Sequence, residues 1–212
     1  MKRMLLVLAL VCLATVGFAA DLSIGIGASG SYFSSDLKVT SAGSSQDSTA
    51  TEMPFNFFAY VETTYLQIAV GYRMFDGVDV EDFSGTTTHD TSSYSYVSLA
   101  GYGKFPLQLG FITLIPMIGV EYDITIAATD GSGVSFTSSE KSDVNALWIK
   151  AGLGAEIPVS TSFYIRPEFL VGYQLNNQSD QDTISYYKDL GADDASILTL
   201  NFELSVLFGA KL

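Results

Sequence analysis

The sequence has little cysteine, little charge and few basic residues. Its one cysteine, Cys12, lies in the apolar N-terminal segment, so the rest of the chain has no thiols for a disulfide framework. Charged residues make up 16% of the chain, whereas about 25% is usual in soluble domains. Ten Lys and Arg residues stand against 23 Asp and Glu residues, a net charge of −13. Because phosphate binding requires clustered Lys and Arg, this composition argues against nucleic acid as a partner.

The N-terminal segment has the pattern of a secretory signal peptide. Two basic residues precede an apolar run from Met4 to Phe18, and Gly17 and Ala19 are spaced as the small residues before a cleavage site. The run is short for a membrane-spanning helix, which needs about 20 residues. We therefore predict a signal peptide over residues 1–20 and a single domain over residues 21–212.

Strict alternation of apolar and polar residues predicts a hairpin from Ala146 to Tyr173. Alternate positions are apolar from Leu147 to Ile157 and again from Phe163 to Tyr173, and a short turn separates the two runs. The opposite rows mix glycine with charges of both signs. Period two indicates strands, but one hairpin fits equally a soluble sheet and a lipid-facing barrel.

The rest of the chain repeats this alternation and favours the barrel. We predict eight strands, at about residues 22–32, 55–62, 66–74, 94–105, 112–122, 146–157, 163–174 and 198–212. Three tight turns alternate with four long polar loops, at about residues 34–52, 75–92, 123–143 and 176–194. Short turns at one end and long loops at the other are typical of outer-membrane barrels. Pro116 and Pro167 weaken the strand assignments, because proline removes a ladder donor.

A ring of tyrosines is predicted just before the long loops. The odd-numbered strands each end their apolar row on a tyrosine, namely Tyr32, Tyr72, Tyr122 and Tyr173. Aromatic rings at one height on the outer face form an interfacial girdle in membrane barrels. Tyr65, Phe105 and Phe163 are candidates for a second girdle at the other end.

The inward rows carry charges that we predict to pair inside the barrel. They are Glu62, Arg73, Lys104, Glu121, Lys150, Glu156, Arg166, Glu168, Glu203 and Lys211. Five are acidic and five are basic, so they sum to zero. An eight-stranded barrel is only wide enough for side chains to fill, and an unpaired buried charge is costly. The balance therefore predicts a packed, neutral lumen with structural ion pairs.

These patterns resemble the small eight-stranded bacterial outer-membrane barrels of the OmpA/OmpX type. The final strand resembles the signal that such proteins present to the outer-membrane assembly machinery, with apolar residues at positions 204, 206, 208, 210 and 212, although Leu212 stands where the family usually has an aromatic residue. The resemblance implies an all-β, up-and-down transmembrane barrel in the outer membrane. It also implies short periplasmic turns, extracellular loops, and outer-membrane lipid and the assembly machinery as partners. We expect a monomer, although the sequence does not separate a monomer from a weak dimer.

Three functions remain open at this stage. We expect a non-enzymatic protein, without cofactor or metal, that supports the envelope or binds host or surface molecules through its acidic loops. A narrow channel is the second hypothesis, although bulky inward residues would obstruct it. The third is a lipid-modifying enzyme, for which His89, Asp90, Ser92 and Ser93 have the residue types of a catalytic triad. No motif surrounds this group, and a solvated loop histidine is the simpler interpretation.

Overall fold

The computed structural model describes residues 21–175 and 178–212, so the predicted signal peptide lies outside the described residues. The alternating segments form β-strands that continue well beyond the predicted ends. The strands are β1 (Ser23–Ser41), β2 (Ser44–Glu52), β3 (Phe55–Glu62), β4 (Leu66–Glu81), β5 (Thr87–Lys104), β6 (Leu107–Leu109), β7 (Ile112–Thr129), β8 (Ala146–Pro158), β9 (Phe163–Leu175) and β10 (Asp194–Lys211). Within the described residues, the helices are α1 (Ser138–Asp143) and α2 (Gln178–Asp189).

The strands close into one antiparallel barrel. Neighbouring positions of the wall follow one another along the chain, and β10 pairs with β1 from Ser23↔Lys211 to Thr40↔Asp194. The wall has eight positions, because β2 and β3 both lie between β1 and β4 and the short β6 pairs only with β7. The predicted eight-stranded up-and-down barrel is confirmed.

Proline residues lie where the ladders are interrupted. Pro54 separates β2 from β3, and its carbonyl oxygen still accepts a 3.0 Å hydrogen bond from Ser31 N. Pro116 is opposite the gap between β5 and β6. Pro167 pairs with Val206 of β10, and the ladder to β8 lacks pairs on that side. The missing N–H groups therefore remove few ladder bonds, which explains why both doubtful strands form.

Two of the four segments predicted as irregular loops form β-strands instead, so the prediction is wrong there. Residues 34–52 form a hairpin from the end of β1 and all of β2. Residues 75–92 continue β4 and β5 to a tip at residues 82–86. Threonine and serine are abundant in both, and threonine favours strands, but composition alone suggested irregular structure. The barrel wall therefore continues past the tyrosines on this side.

The other two predicted loops contain helices. Residues 123–143 begin as β7 and end in α1, whose capping box joins Thr137 and Glu140. Residues 176–194 contain α2, twelve residues long, where the sequence suggested only a helical turn. Among the described residues, no helix is both long and apolar enough to cross a membrane.

Burial is inverted relative to a soluble protein. The charged groups of Arg73, Lys150 and Arg166 lie inside the barrel with 0% exposure. On the outer face, large apolar side chains are open, with Phe57 53% and Leu204 64% exposed. An exposed apolar band around the whole wall is stable only when an apolar solvent covers it.

Candidate functional site

The inward charges form two layers across the lumen. The lower layer centres on Arg166, whose guanidinium contacts Glu62 at 2.9 Å and Glu168 at 2.7 Å. Lys104 Nζ lies 2.6 Å from Glu62 Oε2, and the Tyr164 hydroxyl donates to the other oxygen of Glu62. Each of these groups is buried. Hydrogen bonds therefore satisfy the charges that the barrel wall removes from water.

The upper layer joins residues of four strands. Lys150 Nζ lies 2.8 Å from Glu121 and 2.6 Å from Glu203. Arg73 donates to Glu121 at 2.6 Å and also to Asp123. The indole nitrogen of Trp148 donates a 2.9 Å hydrogen bond to the same Asp123 oxygen, Oδ2.

The last of the predicted pairs lies at the periplasmic end. Lys211 Nζ is 2.8 Å from Glu156 Oε1, but the lysine side chain is 47% exposed. Such an exposed pair is expected to contribute little to stability. The ten charges are thus divided between two buried layers and one partly solvated pair.

Asp123 is the inward charge that the sequence interpretation missed. It was assigned to a loop, yet β7 continues past it, and it follows Glu121 in the inward row. Its side chain is buried, at 3% exposure. The upper layer consequently has three carboxylates against two cations, an excess of one negative charge. Continuing the period-two count by one step would have found it.

Above the upper layer lies a cavity of about 170 Å³, which we call the vestibule. Its walls come from the extracellular parts of the barrel strands and from α2. The lining residues used below are Phe33, Glu52, Phe75, Tyr94, Tyr96, Asp123, Trp148 and Asp180. Among the described residues, the complete lining has five aromatic side chains, three carboxylates, seven small or neutral residues, and no Lys or Arg.

The aromatic walls of the vestibule are two stacked groups. Phe33 and Trp148 stack with centroids 5.0 Å apart. Phe75 stacks on Tyr94 at 5.0 Å, and Tyr96 lies parallel to Tyr94 at 6.2 Å. Phe75 and Tyr94 are paired on the adjacent strands β4 and β5, where inward side chains meet in pairs. Phe33 of β1 and Trp148 of β8 lie on strands that do not pair, so they meet across the lumen. The rings give the vestibule rigid, apolar sides.

Two carboxyl groups of the vestibule lack one of the interactions that usually stabilise a buried carboxylate. Asp123 Oδ1 is buried and has no hydrogen-bond partner. Glu52, at the end of β2 and outside the membrane-spanning segments, forms no ion pair with any described residue. Burial raises the pKa of the Glu52 carboxyl to about 7, because desolvation disfavours its charged form.

The lumen between the two charge layers is nearly filled. A second cavity there has a volume of only about 20 Å³ and is lined by residues of both layers, including Glu121 and Glu168. That space is sufficient for about one water molecule. The vestibule therefore ends at a floor of paired side chains.

The four predicted girdle tyrosines all lie on the outer face. Tyr32, Tyr72 and Tyr173 are exposed, and Tyr122 is partly exposed. The strand register places two of them at similar heights on the wall. Tyr122 pairs with Leu147 of β8, and Tyr173 pairs with Ile149, which is two residues further along β8. Tyr65, Phe105 and Phe163 are exposed at the opposite end.

The residues considered for a catalytic triad do not assemble. His89 Nδ1 lies 2.7 Å from Asp79 Oδ1 in an exposed cross-strand pair. Ser92 Oγ donates instead to Asp90, at 2.8 Å. No hydrogen bond joins His89 to a serine among the described residues. Nowhere in residues 21–175 and 178–212 is a group of three His, Cys, Asp or Glu side chains arranged to hold a metal ion.

A closed antiparallel barrel with an apolar exterior and a charged, packed interior is a transmembrane β-barrel of the bacterial outer membrane. The family model of the autotransporter beta-domain matches residues 14–208. The chain belongs to the autotransporter beta-domain family. Its location in the outer membrane, predicted from the sequence, is thereby confirmed.

Solved structures of outer-membrane proteins are similar at low identity. The outer membrane protein OprG from Pseudomonas aeruginosa is 14% identical, with 92% of this chain and 96% of that chain covered and a TM-score of 0.47. Neisserial surface protein A is 12% identical, with 87% and 97% covered and a TM-score of 0.42. Ail of Yersinia pestis is 11% identical, with 87% and 98% covered and a TM-score of 0.30. No curated protein matches the chain significantly.

Proposed function

We propose that this outer-membrane protein is non-enzymatic and acts by binding molecules at the cell surface through its extracellular half. The observation that carries the proposal is the contrast between the two halves of the barrel. The lumen is filled by two layers of paired charges, whereas the walls continue outward and enclose the vestibule. The paired side chains inside the membrane-spanning part therefore stabilise the barrel, whereas the extracellular surface is available to bind other molecules.

The charge of the extracellular half supports a binding role. Apart from the inward charges, the chain above the tyrosine ring carries 16 Asp and Glu residues and three lysines, which gives a net charge of −13. Such a surface attracts cationic partners and repels anionic ones. The expected partners are therefore positively charged surfaces or molecules of a host or of neighbouring cells.

At two hairpin tips, hydrogen bonds stabilise the ionised form of an aspartate side chain. Asp82 accepts hydrogen bonds from Ser84 N at 2.8 Å and Thr86 N at 3.0 Å. Asp130 accepts from Ser132 N and Val134 N, both at 2.9 Å. Side-chain and backbone hydrogen bonds lower the pKa of both carboxyls. The tips therefore stay anionic in mildly acidic surroundings.

The test compares cells with and without the protein. The wild type, a deletion strain and a strain carrying Asp79→Asn with Glu81→Gln are measured for retention on amine-coated and on neutral surfaces at several salt concentrations. We expect deletion to reduce retention on the amine surface at low salt, and the double variant to fall between wild type and deletion. Unchanged retention together with unchanged detergent sensitivity of the deletion strain would contradict both a binding and a structural role.

The channel hypothesis is weaker because the lumen is blocked twice. An ion would have to separate the Arg73 and Lys150 pairs and then those of Arg166. Refolded protein in planar bilayers is expected to show no discrete conductance, and unitary steps that scale with salt would favour a channel. The enzyme hypothesis lacks an assembled nucleophile and base, so lipid A is expected to have the same mass with and without His89→Ala.

A further inference from the structure

We propose that the vestibule binds an organic ammonium ion, with Asp123 Oδ1 and the Glu52 carboxylate receiving the charged nitrogen and the aromatic walls contacting the apolar body. This inference rests on the proposed surface-binding function and names the ligand class for one site within it.

The first argument is the charge balance of the floor. The upper layer has Arg73 and Lys150 against Glu121, Asp123 and Glu203, so it lacks one positive charge. A buried excess of one charge is costly unless an opposite charge compensates it. A cation entering the vestibule would supply the compensation.

The second argument is the free acceptor at that floor. Asp123 Oδ2 accepts from both Arg73 and Trp148, but Oδ1 has no partner although the residue is buried. Buried carboxylate oxygens are normally hydrogen-bonded. Since Asp123 also lines the vestibule, a donor approaching from above would satisfy this oxygen.

The third argument concerns the rest of the lining. Glu52 adds a second carboxylate, and the described lining residues include no Lys or Arg to neutralise it. The five aromatic side chains offer apolar contact and ring edges to a hydrocarbon body. A bare metal ion would gain nothing from such walls, because hard cations require several oxygen ligands. An ammonium ion with an apolar body uses both features.

The chain contains a single tryptophan, Trp148, which lies in the vestibule and reports binding directly. The protein, folded in detergent micelles at pH 8, is titrated with 2-phenylethylammonium chloride and, in parallel, with 2-phenylethanol, which has the same shape without the charge. Sodium chloride matches ionic strength. We expect a saturable change of Trp148 fluorescence with the ammonium ion and at least tenfold weaker binding of the alcohol. Calorimetry on the same samples detects binding that leaves the fluorescence unchanged.

Three variants locate the site. Glu52→Gln and Asp123→Asn are each expected to weaken ammonium binding at least fivefold. Asp47→Asn removes the same charge from an exposed position of β2 outside the vestibule. This variant is expected to change the affinity for the ammonium ion less than twofold. Because Asp123 belongs to the buried layer, Glu52→Gln is the decisive variant, since Glu52 has no ion pair with the described residues.

Several results would overturn the proposal. They are equal binding of alcohol and ammonium, no binding in either measurement, or equal weakening by Asp47→Asn and Glu52→Gln. A preference for a neutral sugar such as glucose over the ammonium ion would also overturn it. None of these outcomes depends on the cell-retention experiment. If cells still require the protein for retention while the ammonium titration fails, the surface-binding function stands and only the vestibule ligand is wrong.

Discussion

Trp148 and Asp123 together form the floor of the vestibule, with the indole nitrogen 2.9 Å from Asp123 Oδ2. This contact ties the aromatic wall to the upper charge layer, because Arg73 donates to the same oxygen. Carboxylates are in excess in this layer, so its members differ in how much they stabilise the barrel. Removing a cation should be far more damaging than removing a negative charge.

The first prediction compares Lys150→Met with Asp123→Asn. Lys150→Met leaves three carboxylates against one cation, and breaking a buried pair in this way costs about 3–5 kcal/mol. Asp123→Asn leaves two charges of each sign, and the amide oxygen can still accept from Trp148, so the cost should be about 1 kcal/mol. Urea unfolding in lipid vesicles, followed by Trp148 fluorescence, measures both. Equal losses for the two variants would contradict a layer with excess negative charge.

The second prediction separates buried from exposed pairs. Arg166→Met should reduce the free energy of unfolding by about 3–5 kcal/mol, because Glu62 and Glu168 would lose their shared cation inside the barrel. Lys211→Met removes a cation of the half-exposed pair with Glu156 and should cost less than about 1 kcal/mol. The same unfolding assay applies, with heat-modifiable gel mobility as the check that each variant folds. Similar losses would show that lumen charges are solvated.

Local alternation predicted most of the barrel correctly. Which residues face lipid and which face the lumen follows from period two, because one row of every strand is apolar and the other is not. The same rule predicts the inward direction of Arg73 and Lys150. It failed at Asp123 only because a polar segment was taken as the beginning of a loop, although the strand continued.

The vestibule could not be predicted from the sequence. Phe33, Phe75, Tyr94 and Trp148 are far apart along the chain and converge only when the barrel closes. Phe33 and Phe75 begin strand extensions that are rich in polar residues and short of large apolar ones, since water covers their outer face. Lipid imposes a clear apolar row below the tyrosines, and that signal ends where the membrane ends.

The third prediction concerns the inner surface at Gly152. A Cβ there would lie 1.9 Å from the carbonyl oxygen of Phe169 and 2.8 Å from Cα of Leu170, which are backbone atoms of β9. Gly152→Ala should therefore force the strands apart and cost about 2 kcal/mol or more.

Gly101 provides the matched control for this change. A Cβ at Gly101 meets nothing within 4 Å, so Gly101→Ala should be neutral or slightly stabilising, because alanine restricts the unfolded chain. Urea midpoints of the two variants are compared with wild type. If Gly152→Ala is as stable as Gly101→Ala, close approach of β8 and β9 does not limit side-chain size there.

The fourth prediction is a pH dependence that arises from Glu52. Its folded pKa is about 7, above the ordinary value of about 4.3 in an unfolded chain. Between these two values the folded state keeps the proton and the unfolded state has lost it. Unfolding then releases a proton, so this carboxyl makes stability fall as pH rises from about 4.3 to about 7, and the fall ends above pH 7.

The measurement is the difference in unfolding free energy between wild type and Glu52→Gln at pH 5, 6, 7 and 8. Taking the difference removes the contributions of the other groups around the vestibule, which are Arg73, Tyr94, Tyr96, Asp123 and Asp180. Wild type should lose stability relative to Glu52→Gln by at most about 1.4 kcal/mol per pH unit, and less to the extent that water reaches this half-buried carboxyl. A difference that is constant from pH 5 to 8 would show that Glu52 titrates as a solvated carboxyl, and one that grows in favour of wild type as pH rises would show that the folded state stabilises its charged form. The vestibule would then lack the desolvated acid that it presents in this structure.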